Sequence, residues 1–116
     1  MSNLFEMRLE DIPFVATSDG LKKIEVRLDD SRRNGLSKGD SIKFIHIGSG
    51  KELVKKVLTV RKYKSLEDLV ALELFENTGG IYQDRHHWFH EISRYYPKEK
   101  IHIFGLLVIE FAEDNT

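Results

Sequence analysis

No cysteine occurs among the 116 residues. That excludes disulfides, thiolate zinc sites and cysteine nucleophiles, and it is compatible with a reducing compartment. No stretch approaches the ~20 apolar residues of a membrane-spanning helix. The first ten residues mix charges with single apolar side chains and lack the uninterrupted apolar core of a signal peptide. The expected setting is therefore cytoplasmic, with no membrane partner. There is also almost no net charge: −1 over the whole chain. The average alone does not suggest a nucleic-acid binder.

What is present is enough for one modest core. Hydrophobic residues make up 41% and charged residues 32%, and a chain of this length fits a single domain over 1–116. The charge is unevenly placed. From Lys22 to Lys64 there are 13 Lys or Arg against 5 Asp or Glu, a local net of +8, and the rest carries 5 against 14, a net of −9. Two arrangements are open. The basic segment can form one anion-attracting face, or fold neighbours can interleave the two parts and cancel the field.

The patterning predicts alternating strands and helices. Leu4 to Leu9 is a first strand. A short helix follows, with Asp11 as N-cap, Pro13 in its first turn and Asp19-Gly20 ending it. Ile24, Val26 and Leu28 alternate with Lys23, Glu25 and Arg27, the period of a strand with one apolar and one charged face. Asp29 to Lys38 is polar and reads as a loop. Gly39-Asp40 is a turn, Ser41 to His46 a strand, and Gly48 to Gly50 a hairpin tip. Leu53 to Tyr63 is a long strand, with a bulge expected near Lys55-Lys56 where the alternation slips. Ser65 caps a helix whose stripe is Leu66, Leu69, Val70 and Leu74. A second helix runs from about Asp84 to Tyr95 and is stopped by Pro97. Ile101 to Phe111 is a strongly apolar final strand, and 113–116 an acidic tail. The order predicts an α+β domain on a small, curved, mostly antiparallel sheet or barrel.

One segment goes further. Gly20-Leu21-Lys22-Lys23-Ile24-Glu25-Val26-Arg27 resembles the G-x-K-x-x-E-x-R signature of the ASCH domain (activating signal cointegrator homology). That domain belongs to the PUA-like superfamily, named for pseudouridine synthase and archaeosine transglycosylase. Tyr63-Lys64-Ser65-Leu66-Glu67-Asp68-Leu69 is similar to the start of a family helix. Tyr95-Tyr96-Pro97 and Phe104 to Ile109 look like the closing helix and last strand. The resemblance runs from about Leu4 to Phe111.

It implies a PUA-like β-pseudobarrel of about five to six mostly antiparallel strands with two to three flanking helices. It also implies a cleft floored by Lys22, Glu25 and Arg27, and a role in binding RNA or a nucleotide-like ligand, without a cofactor. One branch of the family hydrolyses acetylated cytidine, with a Lys matching Lys22 and a nucleophilic Thr three residues later. Here that position is Glu25, and the Glu which the branch carries ahead of the last helix has no clean counterpart. The expectation therefore leans away from an enzyme. Its rival is a nucleoside amidohydrolase, with Lys22 polarising a carbonyl and Glu25 activating water.

Lys22 can hold a phosphate, and Arg27 can grip one with two parallel hydrogen bonds. Glu25 can accept from the amino group of cytosine or adenine. Two cations beside one carboxylate lower its pKa, making Glu25 a better acceptor and a poorer base. By spacing alone, Lys23, Glu25 and Arg27 are most simply a solvated strand face. Strict alternation also puts Lys22 with the apolar residues. Either the regular strand starts after Lys22, or that part of the face lines a cleft.

Arg32 and Arg33, in the polar loop, extend the candidate ligand-binding set. So does Tyr63, an aromatic within a basic run suited to stacking on an unpaired base. The other reading of Tyr63 is a barrel residue with its hydroxyl satisfied. His86 and His90 would share a helix face, but no third ligand is evident and no metal site is expected.

Overall fold

The computed structural model of the chain describes residues 2–112, so the acidic tail at 113–116 lies outside the described residues. The chain forms an α+β domain. Five strands, β1 (Leu4–Leu9), β2 (Ile24–Leu28), β3 (Ser41–His46), β4 (Glu52–Tyr63) and β5 (Leu106–Phe111), make one curled half-barrel sheet. Four helices accompany them: α1 (Asp11–Ser18), α2 (Leu66–Leu72), α3 (Arg85–Tyr95) and α4 (Lys98–Phe104). That is one helix more than expected. No helix among the described residues is long and apolar enough to cross a membrane.

The sheet order is β1-β3-β4-β5-β2. Only β1 and β3 run parallel, and the other pairs are antiparallel. The long β4 belongs to both halves of the sheet, pairing with β3 through its first part and β5 through its last. Its register shifts between Val57 and Thr59, two residues beyond the expected slip. Lys55 stays in register with its side facing in, and the extra residue is Leu58, which points outward. A bulge bends the strand and raises its twist, which is what lets one strand serve a curling sheet.

β5 lies between β4 and β2, and this position explains its composition. Leu107, Ile109 and Phe111 enter a core inside the curl with Met7, Phe14, Ile42 and Phe44. Leu106 and Val108 enter a second core with Ile24, Leu28, Leu69, Trp88 and Ile92. A strand covered on both faces leaves little room for polar side chains, and its one polar residue, Glu110, is partly exposed near the strand end and paired with Arg61.

Three local expectations need correction. Ile101 to Phe104 is not part of the last strand but lies in α4, with Pro97 as N-cap. Gly105, at φ +78°, ends that helix and lets the chain turn into β5. Leu74 is exposed and lies past the end of α2, so it is not part of the buried stripe. The cap of α1 is Glu10, not Asp11, and makes no side-chain cap bond; the Asp11 carboxylate meets His46 Nε2 at 3.1 Å instead. The expected cap at Ser65 does form, accepting from Asp68 N–H, and Asp84 caps α3 in the same way, accepting from His87 N–H.

Candidate functional site at the open seam of the sheet

β1 and β2 are the two edges of the sheet, so no backbone ladder joins them. A cleft of about 230 Å³ opens there. Its walls are the end of β1, the approach to β2, β2 itself, and α3 with the tyrosines that flank it. Lys22, Glu25 and Arg27 all line this cleft.

The convergence of these three depends on the irregular backbone before β2. Regular pairing begins at Ile24, so Lys22 is exempt from strand alternation. Its N–H bonds Ala16 O at 3.0 Å, while Lys23 N–H bonds Asn77 O at 2.9 Å. A short turn of 3₁₀ helix at Phe75–Thr78 leads to Gly79, packed directly on Lys22. A Cβ at Gly79 would lie 2.7 Å from Lys22 Cα, and its φ of +86° is open to glycine at little cost. Thus fixed, the Lys22 ammonium donates to Ile24 O at 2.6 Å and to Glu25 Oε1.

Glu25 is held from both sides. Its second oxygen, Oε2, lies 2.7 Å from Arg27 Nη2. Arg27 also donates to Arg8 O at 3.0 Å and to the Tyr96 hydroxyl at 3.4 Å. The first of these bonds crosses from β2 to β1, so one side chain stitches the seam that the backbone leaves open. Arg27 Nε is buried and has no hydrogen-bond partner among the described residues. Lys22 and Glu25 are each only 7% exposed.

Burial in this site is severe, and it acts oppositely on the two signs of charge. For Lys22, desolvation outweighs the attraction of Glu25 and holds the ammonium below its ordinary pKa. For Glu25, desolvation pushes the carboxyl up, but the charges of Arg27 and Lys22 outweigh it and hold the pKa below its usual range. The asymmetry has a simple source: one carboxylate is shared by two cations. Desolvation also works against the charge on Arg27, yet Glu25 and Tyr96 keep the guanidinium protonated. Of the two cations that share Glu25, Lys22 holds its proton less firmly than Arg27. Tyr82, also in the cleft wall, has its phenol pushed up to about 12, by burial first and then by the Glu25 charge.

The remaining candidates are placed differently. Arg32 and Arg33 stand in the 3₁₀ turn Ser31–Arg33, paired with Asp30 at 3.1 Å each. They line an adjoining cleft with Arg8 and Arg27. Tyr63 is not brought to either cleft. It packs against the second core, and its hydroxyl donates to Glu73, which Arg61 also grips. His86 and His90 stack on the exposed side of α3, ring centroids 5.7 Å apart.

The basic segment does not form one field. Arg61 is answered by Glu73 and Glu110, and Lys43 by Glu6 and Glu52. Sequence inspection did not single out Arg8 or Tyr82 for the site. Arg8 sits alone at the end of an edge strand and Tyr82 in a loop, so neither had a local signal.

No family model matches the chain, and no curated protein does. Two solved structures are similar to it over almost their whole length. The crystal structure of hypothetical protein PH0355 superposes with a TM-score of 0.83 at 29% identity, covering 96% of this chain and 99% of that one. The solution NMR structure of protein PF0455 from Pyrococcus furiosus gives a TM-score of 0.74, also at 29% identity, covering 97% and 99%.

Proposed function

We propose that this chain is an ASCH-type, PUA-like module that binds a nucleotide, either free or as an unpaired residue of RNA, in the cleft around Lys22, Glu25 and Arg27. The observation that carries this reading is the convergence of those three side chains in one concave site with aromatic walls. Tyr82, Tyr95 and Tyr96 offer flat surfaces to a base, and base–aromatic stacking is worth about 1–3 kcal/mol per base. The triad offers hydrogen-bonding groups of both kinds. A carboxylate has about four lone-pair sites, so Glu25 keeps acceptor capacity beyond its two cations. The donors of Lys22 and Arg27 suit carbonyl edges and phosphate. A volume of about 230 Å³ fits one base, not a folded RNA element. A cytoplasmic setting, where nucleotides and RNA occur, is part of this reading.

Trp88 supplies the assay. It is the only tryptophan, it lines the cleft, and it lies 6.4 Å from the Tyr82 ring between centroids. Titration with single-stranded oligoribonucleotides should change its fluorescence. Affinity should fall as salt rises, in proportion to the phosphates neutralised, and Arg27→Ala should weaken it at least tenfold. No binding, or binding indifferent to both salt and Arg27, refutes the proposal. The hydrolytic rival is tested on acetylated cytidine. Turnover abolished by Glu25→Gln would replace binding with catalysis, although the depressed Glu25 pKa makes that carboxylate a poor base at neutral pH.

A further inference from the structure

The adjoining cleft, about 380 Å³, lies along the same open seam and is lined by four arginines, Arg8, Arg27, Arg32 and Arg33, against the single carboxylate of Glu6. Arg8 and Arg27 belong to the walls of both clefts, so the two are continuous through a pair of guanidiniums. We propose that this seam cleft is a phosphate subsite and that the ligand is a phosphorylated nucleoside, its base in the aromatic cleft and its phosphate among the arginines. The inference rests on the nucleotide reading above.

Three observations support it. The first is one unanswered guanidinium: Glu25 pairs with Arg27, and Asp30 with Arg32 and Arg33, which leaves Arg8 without a carboxylate among the described residues. Glu6 is directed to Lys43 at 3.5 Å, and among the described residues the Arg8 guanidinium makes no ion pair or hydrogen bond. The second is preorganisation. Asp30 accepts from Arg32 and Arg33 on separate oxygens, Oδ2 and Oδ1, at 3.1 Å each. Asp30 itself is not part of the cleft wall, so it orients the two guanidiniums without occupying the space. The third is chemical fit. A phosphate presents several oxygens to planar, forked donors, and arginine matches that geometry with paired hydrogen bonds. Four guanidiniums share only Glu25 and Asp30 as paired carboxylates, so an incoming anion would meet an excess of positive charge.

The seam exists only because the sheet stays open. Closing β1 onto β2 would fill the space with a backbone ladder. Instead Arg27 bridges the edges and forms part of the wall of both clefts.

The test compares four nucleosides, their 5′-monophosphates and short single-stranded trinucleotides, read by Trp88 fluorescence and calorimetry. A phosphate-bearing probe should bind at least tenfold tighter than the corresponding nucleoside. Whether the mononucleotide or the trinucleotide shows this gain identifies a free nucleotide or RNA as the source of the phosphate. In the Arg32→Ala/Arg33→Ala double variant and in Arg8→Gln, the ratio should collapse to below threefold. Equal affinity for nucleoside and nucleotide in the native protein overturns the subsite and leaves the base cleft standing. A ratio that persists in both variants overturns it as well. Failure of every nucleoside, nucleotide and trinucleotide to bind overturns the nucleotide reading together with the subsite. Thermal melts by circular dichroism verify each variant's folding, and the native ratio decides the matter even if the double variant does not fold.

Discussion

Replacing Glu25 by Gln keeps the shape of the side chain and removes the one charge that holds Lys22 and Arg27 together. Lys22 and Glu25 are both 7% exposed, so water does not take over the role of the carboxylate. Breaking a buried ion pair by removing one partner costs about 3–5 kcal/mol. Against a total stability of about 5–15 kcal/mol for a small domain, that is a large fraction. At neutral pH the urea midpoint should fall accordingly, and the melting temperature by roughly 10–25 °C.

The pH dependence gives a sharper signature. Lys22 is already held below its ordinary pKa by burial, and losing Glu25 loosens its proton further. Between the folded and unfolded Lys22 values the unfolded chain binds more protons, so stability rises with pH there. The variant should therefore recover part of its loss on going from neutral to alkaline pH, more steeply than the native protein. On the acid side the native protein's stability also rises with pH, because there too the unfolded chain binds more protons. The Glu25 carboxyl is depressed in the fold, so its contribution is present above the unfolded value near 4.3 and is lost as pH falls through the folded one. The difference between native and variant should shrink in acid. A second change, Lys22→Met, in the variant background should restore at least about 1 kcal/mol at neutral pH and remove the extra alkaline slope, because Arg27 keeps Arg8 O and Tyr96 as acceptors. A loss below about 1 kcal/mol at pH 7, or a loss independent of pH, would refute the view of Glu25 as the clasp between two buried cations.

Three more outcomes separate the site from the scaffold. Gly79→Ala should cost more stability than Gly80→Ala by urea denaturation. Both have positive φ, worth about 1–2 kcal/mol for a side chain, but only at Gly79 does the new Cβ meet the Lys22 backbone; it should also weaken ligand binding. Tyr63→Phe should cost about 1.5–3 kcal/mol, the loss of a hydrogen bond to a charged group, while leaving nucleotide affinity within about twofold, since Tyr63 lies outside both clefts. Arg61→Ala should cost more, about 3 kcal/mol, because it leaves Glu73, 3% exposed, without its cation.

Local patterning was enough for the elements with a clear period. The alternation of Ile24, Val26 and Leu28 marks β2, and the caps Ser65 and Asp84 mark where α2 and α3 begin, because these signals act between near neighbours. The G-x-K-x-x-E-x-R segment likewise pointed to the three residues that come to share a cleft. α4 was hidden because its apolar run, Ile101 to Phe104, continues into β5; the only local marks are Pro97 and Gly105 at its two ends.

The composition of the site was settled elsewhere. Arg8 and Tyr82 join it from an edge strand and a loop, Arg32 and Arg33 fall into its second half, and Tyr63 is drawn away by Glu73. Gly79 matters only because the chain returns to pack on Lys22. Strand and helix signals extend over a few residues, and they say which side chains can lie on one face. Whether a charged face becomes a solvated ladder or the floor of a cleft depends on what covers it. Here that was decided by a sheet that curls without closing, which leaves β1 and β2 apart and Arg27 to bridge them.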